Sequence, residues 1–284
     1  MDKWSLRFSM ASFAASDSSH PLHVFSPLSY YPLLKSHCAP TTFIPFPPHF
    51  ARYLTSDGTL PPDDCVTDDV DDDVSWGSDD NDGIPSAPSS APVSSGYAFP
   101  ALTAQLTAII TKYHSILPKT TWSAPLDATW MNGNSLRCFT PTEVYLLLKS
   151  SDFIQHDLSL NHPTPTLVLR KWLDIPAGVE FRCFIKNRRL FAVSQRDVAT
   201  FYPYLVTGAV DEYVLQLEKF VKNVLARGFG EEDYVADLYI YSSSTVKIVD
   251  LNPYDDTTVS TGERATECHT PSATHICEQR PRLL

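Results

Sequence analysis

Apolar residues recur at helical spacing in three stretches of the chain. The stretch LTAQLTAIITKYHSIL (102–117) alternates apolar and polar residues with a helical period and predicts an amphipathic helix. The stretch TPTEVYLLLKSSDF (140–153) predicts a second helix, because Thr140 and Glu143 have the spacing of an N-terminal capping box. The stretch YVLQLEKFVKNVLAR (213–227) predicts a third.

Shorter runs of apolar and β-branched residues predict strands. They are 166–172, 179–186, 190–197, 233–241 and 246–252. Because these strands follow one another with only short turns or a single helix between them, we expect an α+β fold, with antiparallel sheets and flanking helices.

The segment VEFRCFIKNRRLFAVSQRD (179–197) predicts a hairpin with one apolar and one charged face. We favour a three-residue loop at 187–189, because a two-residue loop would pair Lys186 with Arg189 and mix polar with apolar side chains on both faces. The favoured register pairs Ile185 with Phe191 and Cys183 with Val193 on the apolar face, and Arg182 with Ser194 and Glu180 with Arg196 on the charged face. Asp197 lies on the opposite side in this register, and the sequence assigns it no role.

The pattern divides the chain into five segments. We expect a variable leader, an aromatic and proline-rich arm that packs on the core, a disordered Asp/Ser/Pro-rich insert, the folded core and an unstructured tail. Their bounds are 1–20, 21–56, 57–100, 101–258 and 259–284.

The net charge of −11 comes from the insert alone. It contains eleven aspartates and neither lysine nor arginine, and the rest of the chain has 22 acidic and 22 basic residues. We therefore expect no nucleic-acid partner, since phosphate binding requires a basic surface. No apolar run approaches the roughly 20 residues of a membrane span, and six scattered cysteines are typical of reduced thiols in a cytoplasmic protein.

Side chains suited to a nucleoside triphosphate accompany the strands. Asp250 and Asn252 are two residues apart and point to one face of a strand, where their oxygens suit Mg²⁺. Basic residues could bind the phosphates and tryptophans could contact the base. Two further aspartates lie in the same segments. These candidates are Lys119, Trp122, Asp127, Arg170, Lys171, Trp172, Arg182, Arg196 and Asp237. The chain has no Walker loop and no GxGxxG motif.

Several long motifs resemble the cell division cycle protein 123 family. They are LPKTTWSAPLDATWMNGNSL, LLLKSSDF, VLRKW with EFRCFIKNRRLFAVSQRD, and YVADLYI with VKIVDLNP. They occur in the family's order, and the resemblance covers roughly residues 20–257.

The resemblance implies an ATP-grasp-like fold of two lobes with ATP and Mg²⁺ between them. Lys119, Trp122, Ala124 and Asp127 match the family's first ATP-contacting block, and Arg170, Lys171 and Trp172 match the block near the adenine. Arg182 and Arg196 match the phosphate-side arginines, and Asp237, Asp250 and Asn252 match the metal ligands.

The resemblance also implies an assembly chaperone of eukaryotic translation initiation factor 2. Such a protein binds the gamma subunit so that the alpha and beta subunits can join, supporting translation initiation and the cell cycle. We expect a cytoplasmic monomer without catalytic residues. The sequence leaves two alternatives open: an ATP-grasp ligase acting on a small acid, and an inactive fragment, because the residues after Thr258 depart from the family's pattern.

Overall fold

The structure, a computed structural model, describes residues 22–65, 94–160, 165–197, 199–205, 209–242, 245–254 and 275–276. The chain forms two compact units. The terminal unit comprises residues 1–40 and 173–284, and the middle unit comprises residues 41–172. The main elements, in chain order, are α1 (Pro27–Leu34), β1 (Thr41–Pro45), α2 (Phe50–Thr55), α3 (Pro100–Tyr113), β2 (Ile116–Lys119), α4 (Pro141–Lys149), α5 (Asp152–Ser159), β3 (Thr166–Lys171), β4 (Glu180–Lys186), β5 (Arg189–Gln195), α6 (Ala209–Phe220), β6 (Tyr234–Ser242), β7 (Thr245–Pro253) and β8 (His275–Ile276).

The middle unit contains a three-stranded antiparallel sheet in the order β1-β3-β2. Its core is aromatic: Phe50 and Tyr53 of α2 pack against Phe99 and Tyr145, with ring centroids 5.2–6.1 Å apart. Such edge-to-face pairs contribute more stability than the burial of their apolar area alone provides.

A buried lysine fastens α4 to this core. Lys149 Nζ donates hydrogen bonds to the main-chain oxygen atoms of Tyr53 and Ser56, 2.5 and 3.0 Å away, and lies 4.5 Å from the centre of the Tyr53 ring. Burial lowers the pKa of Lys149, and the charge of Asp57 opposes this shift. The lysine therefore satisfies main-chain acceptors at the end of α2.

The terminal unit contains a five-stranded sheet in the order β7-β6-β4-β5-β8. All neighbours are antiparallel except β5 and β8. Phe181, Cys183 and Ile185 alternate along β4 and are buried on one face of the sheet. The ring centroid of Phe181 lies 5.7 Å from that of Tyr213, so α6 covers this face. Helix α6 continues through a π-helical turn, Val221–Leu225, to Gly228.

The hairpin of β4 and β5 keeps part of the predicted register. Cys183 pairs with Val193 and Arg182 with Ser194, as predicted. The three-residue loop is wrong, because Lys186 pairs with Arg189 across a two-residue turn in which Asn187 and Arg188 both have positive φ, 50° and 60°.

A β-bulge reconciles the short turn with the apolar face. Ile185 pairs with Leu190 instead of Phe191, and the register shifts between Phe184 and Ile185. Phe191 becomes the extra residue of β5 and is 61% exposed. A bulge leaves one residue without a partner, so a sequence register that assumes strict pairing misplaces it.

Two predicted helices and one predicted arm differ from the structure. The helix predicted over 102–117 is α3 followed by β2, because His114 takes φ 69° and ends the helix. The helix predicted over 140–153 has the expected capping box but divides at Ser150 into α4 and α5. The strand β1 was predicted only as an extended arm, although it pairs with β3.

The structure describes only parts of the five predicted segments. The arm contributes α1 to the terminal unit and β1 and α2 to the middle unit, and the predicted core 101–258 has residues in both units. The leader, most of the insert and all of the tail except β8 lie outside the described residues. None of the described helices is long and apolar enough to cross a membrane.

Candidate functional site

Charged side chains lie together on the second face of the terminal sheet. Arg182 of β4 pairs with Ser194 of β5 on one side and with Asp237 of β6 on the other, and Asp237 pairs with Asp250 of β7. Since directly paired residues project from the same face, these strands form a continuous polar face. We call it the charged face, and its members are Glu180, Arg182, Ser194, Arg196, Asp237, Asp250 and Asn252.

A bidentate ion pair lies at the centre of the charged face. Arg182 donates from Nε to Asp237 Oδ1 and from Nη2 to Asp237 Oδ2, over 2.8 and 2.9 Å. Asp237 is only 5% exposed. Burial opposes the charge of Arg182, but the hydrogen bonds and charge of Asp237 outweigh it and raise the pKa of Arg182. Arg182 is therefore held in one orientation as a cation.

Glu180 and Arg196 form the edge of the charged face. The Arg196 N–H group donates to the Glu180 carbonyl oxygen over 3.0 Å, which places the two residues opposite each other as predicted. Arg196 Nε is 3.8 Å from Asp237 Oδ2. Burial raises the pKa of Glu180, with a further contribution from Asp237, while Arg196 and Arg182 oppose the shift.

The end of the charged face on β7 supplies oxygen atoms. Asp250 and Asn252 are paired with Asp237 and Val235 of β6. Tyr30 of α1 is 1% exposed and donates from its hydroxyl group to Asp250 Oδ1 over 2.9 Å. Sequence reasoning missed Tyr30, because its contact with Asp250 joins residues that are 220 positions apart.

The oxygen atoms on β7 fit a divalent cation better than those on β6. Asp250 and Asn252 provide a carboxylate and an amide, which are ligands that Mg²⁺ accepts together with phosphate oxygens. Both carboxylate oxygens of Asp237 already accept hydrogen bonds from Arg182, and the predicted role of Asp237 as a metal ligand stays a prediction. Among the described residues, no group of three or more His, Cys, Asp or Glu side chains is arranged to hold a metal.

The remaining predicted site residues lie in the middle unit. Lys119 is buried at the end of β2, and Trp122 and Ala124 follow it at half-buried positions. Arg170 and Lys171 end β3, and the Trp172 N–H group donates to the Ser115 carbonyl oxygen over 3.0 Å. The structure thus brings together five predicted residues on the charged face and groups the other seven in the middle unit.

Asp127 contacts the start of α5. Its Oδ1 accepts a hydrogen bond from Ser151 Oγ over 2.6 Å, and its Oδ2 accepts one from the Asp152 N–H group over 2.7 Å. A carboxylate at a helix N-terminus accepts hydrogen bonds from main-chain donors that have no partner within the helix. Its negative charge also interacts favourably with the helix dipole. The predicted contact of Asp127 with ATP stays a prediction.

Asp197 has a local role. It accepts hydrogen bonds from the Ala199 N–H group and the Tyr202 hydroxyl group, over 3.0 and 2.8 Å. Hydrogen bonds from Thr200 and Tyr202 lower the pKa of Asp197. This carboxylate therefore stabilises the turn that follows β5.

These features define an α+β protein with two antiparallel sheets, one of which has a face of paired arginines and carboxylates. Comparison with known proteins shows which family this is. A family model described as D123 matches residues 30–261, and the chain belongs to this family.

Curated relatives and a solved structure agree with the family match. A protein of Xenopus laevis named translation initiation factor eIF2 assembly protein is 32% identical over 254 residues, covering 81% of this chain and 72% of that protein. Cell division cycle protein 123 of Yarrowia lipolytica is 35% identical over 258 residues, covering 84% and 65%. The structure of Cdc123 from Schizosaccharomyces pombe has 27% identity and a TM-score of 0.65, covering 84% of this chain and 87% of that chain. The resemblance predicted from the motifs is confirmed.

Proposed function

We propose that this protein takes part in the assembly of translation initiation factor 2. The observation that carries the proposal is the match to relatives named for eIF2 assembly, which extends over four fifths of the chain. It is supported by the likeness of the fold to that of Cdc123 from Schizosaccharomyces pombe. The finer role follows the family resemblance: a cytoplasmic monomer that binds the gamma subunit so that the alpha and beta subunits can join.

The second part of the proposal is that the charged face binds the triphosphate of ATP together with Mg²⁺. Arg182 and Arg196 would contact phosphate oxygens, since guanidinium groups suit planar, charge-assisted hydrogen bonds. Asp250 and Asn252 would hold the cation, and Asp237 would hold Arg182 in place. The charged face also contains the carboxylates of Glu180, Asp237 and Asp250, which would repel the phosphates. Bound Mg²⁺ would offset this repulsion by neutralising part of the phosphate charge. This mode of binding agrees with the ATP-grasp-like fold that the family resemblance implies.

The carboxylate of Asp250 provides the sharpest test of nucleotide binding. We expect Asp250→Ala to abolish measurable Mg-ATP binding in titration calorimetry, because the cation loses its charged ligand. Asp211→Ala, at an exposed position of α6, removes the same group elsewhere and should bind as the wild type does. An unchanged affinity in the Asp250 variant would refute the metal assignment.

The partner is tested by capture of separately prepared subunits. We expect the immobilised protein to retain the gamma subunit in the presence of Mg-ATP, and to retain alpha and beta only when gamma is present. Failure to retain any subunit would contradict the assembly role. The ligase alternative has its own test: ADP formation that depends strictly on an added carboxylic acid would favour it.

A further inference from the structure

Helix α5 holds the turn that follows β2 through a buried carboxylate. Asp157 of α5 is 8% exposed. It accepts hydrogen bonds from Thr120 Oγ1, from the Ser123 N–H group over 2.9 Å and from Ser123 Oγ over 2.9 Å. All three donors belong to one turn, residues 120–123.

The turn is also closed by its own hydrogen bonds. The Thr120 N–H group donates to the Ser123 carbonyl oxygen over 2.9 Å, and the Trp122 N–H group donates to Thr120 Oγ1 over 3.3 Å. Asp157 therefore binds a turn whose two ends already meet. The turn directly follows Lys119 and contains Trp122, two of the predicted ATP contacts.

A second carboxylate also connects this segment to α5, but here the acceptor belongs to the segment and the donors belong to the helix. Asp127 belongs to the segment after the turn and accepts hydrogen bonds from Ser151 and Asp152 at the start of α5. Asp157 lies near the other end of that helix. The segment 120–127 is thus attached to α5 at both ends of the helix, by charge-assisted hydrogen bonds that are stronger than neutral ones.

We propose that Asp157 is a positioning residue for nucleotide binding, which holds Lys119 and Trp122 in place by attaching the turn 120–123 to α5. The inference rests on the proposed binding of ATP. Asp157 acts through the turn and does not touch the nucleotide. A turn held in advance does not have to be ordered when the ligand binds, so the cost of ordering is removed from the binding free energy.

The test compares Asp157→Asn with the wild-type protein in two measurements. Hydrogen exchange of the amides of residues 120–124 should become faster, because an amide group cannot accept from all three donors. The affinity for Mg-ATP, measured by calorimetry on the folded protein, should fall about tenfold. The matched control is Asp211→Asn, which removes the same charge from an exposed position of α6, away from the turn, and should change neither quantity.

Ser123→Ala provides a second variant if Asp157→Asn does not fold. It removes one of the three donors and should give the same changes with smaller size. Exchange of these amides as slow as in Asp211→Asn would overturn the attachment of the turn. Faster exchange with an unchanged affinity would overturn the positioning role and leave a purely structural one. If the wild-type protein itself does not bind Mg-ATP, the proposed nucleotide site fails, and the positioning role fails with it.

Discussion

Glu180 shows how the charged face differs from an ordinary sheet surface. Its carboxylate lies near Asp237 and close to two arginines, so three negative and two positive charges share one face when Asp250 is included. Removing charges from water costs more than their mutual attraction returns unless the geometry is favourable. A face built only for stability would be better served by apolar residues. The retained charges therefore support a binding role.

The raised pKa of Glu180 predicts a specific dependence of stability on pH. Above the ordinary value of 4.5, the folded protein retains the proton longer than the unfolded chain does. The free energy of unfolding should therefore fall as the pH rises through the folded pKa. Glu180→Gln should lack this fall, so that its stability relative to the wild type increases with pH in urea titrations. Glu218→Gln, at an exposed position of α6, is the control and should follow the wild-type pH profile. Parallel profiles for the wild type and Glu180→Gln would contradict the prediction.

At the scale of elements, a short 3-10 turn, Ala177–Val179, leads into β4 and packs against the segment after β5. A Cβ atom on Gly178 would lie 1.7 Å from Tyr204 Oη and 2.8 Å from the Tyr202 ring. Tyr202 is in turn held by Asp197. This close packing joins the beginning of β4 to the residues that follow β5.

Gly178→Ala should therefore destabilise the protein by about 1–3 kcal/mol, because the tyrosines must move to admit a methyl group. Gly230→Ala is the matched control: a Cβ atom there meets nothing within 4 Å, and its effect should stay within about 0.5 kcal/mol. Chemical denaturation measures both. Equal losses of unfolding free energy in the two variants would show that the tyrosines move away from residue 178 without cost.

Whole-molecule organisation bears on the acidic insert, whose two flanks are joined. Asp63 accepts hydrogen bonds from the Ser95 N–H group and Ser94 Oγ, each over 2.7 Å. Asp64 accepts from the Phe99 N–H group over 2.7 Å and from Thr103 Oγ1 over 2.5 Å, at the start of α3. The flanks are thus joined by hydrogen bonds from Asp63, and Asp64 attaches them to the start of α3.

Replacing residues 66–93 by a short Gly/Ser linker should leave the unfolding temperature close to that of the wild type. Deleting residues 60–98 should lower it, because the hydrogen bonds that Asp63 and Asp64 accept are lost. Asp64→Ala isolates one of these contributions and should cost about 1–3 kcal/mol, because it leaves the Phe99 N–H group without its acceptor. Equal stability of the two deletions, measured by thermal unfolding, would show that the joined flanks contribute nothing.

Local pattern was sufficient for much of the fold and part of the candidate site. The alternation along β4 separates Arg182 from Cys183, and the spacing of Thr140 and Glu143 marks the start of α4. These features depend on neighbours a few residues apart, which the sequence displays directly. The family motifs likewise lie in continuous stretches.

Tertiary structure decided which side chains meet. Tyr30 and Asp250 are 220 residues apart, and Arg182 and Asp237 are 55 apart. The bulge at Phe191 and the end of α3 at His114 also depend on packing, because apolar periodicity continues through both positions. The sequence by itself determined which residues could form the charged face. Only the folded chain determined that Arg182 is held by Asp237, that Tyr30 contacts Asp250 and that Asp157 holds the turn 120–123, since each contact joins elements that are separate in sequence.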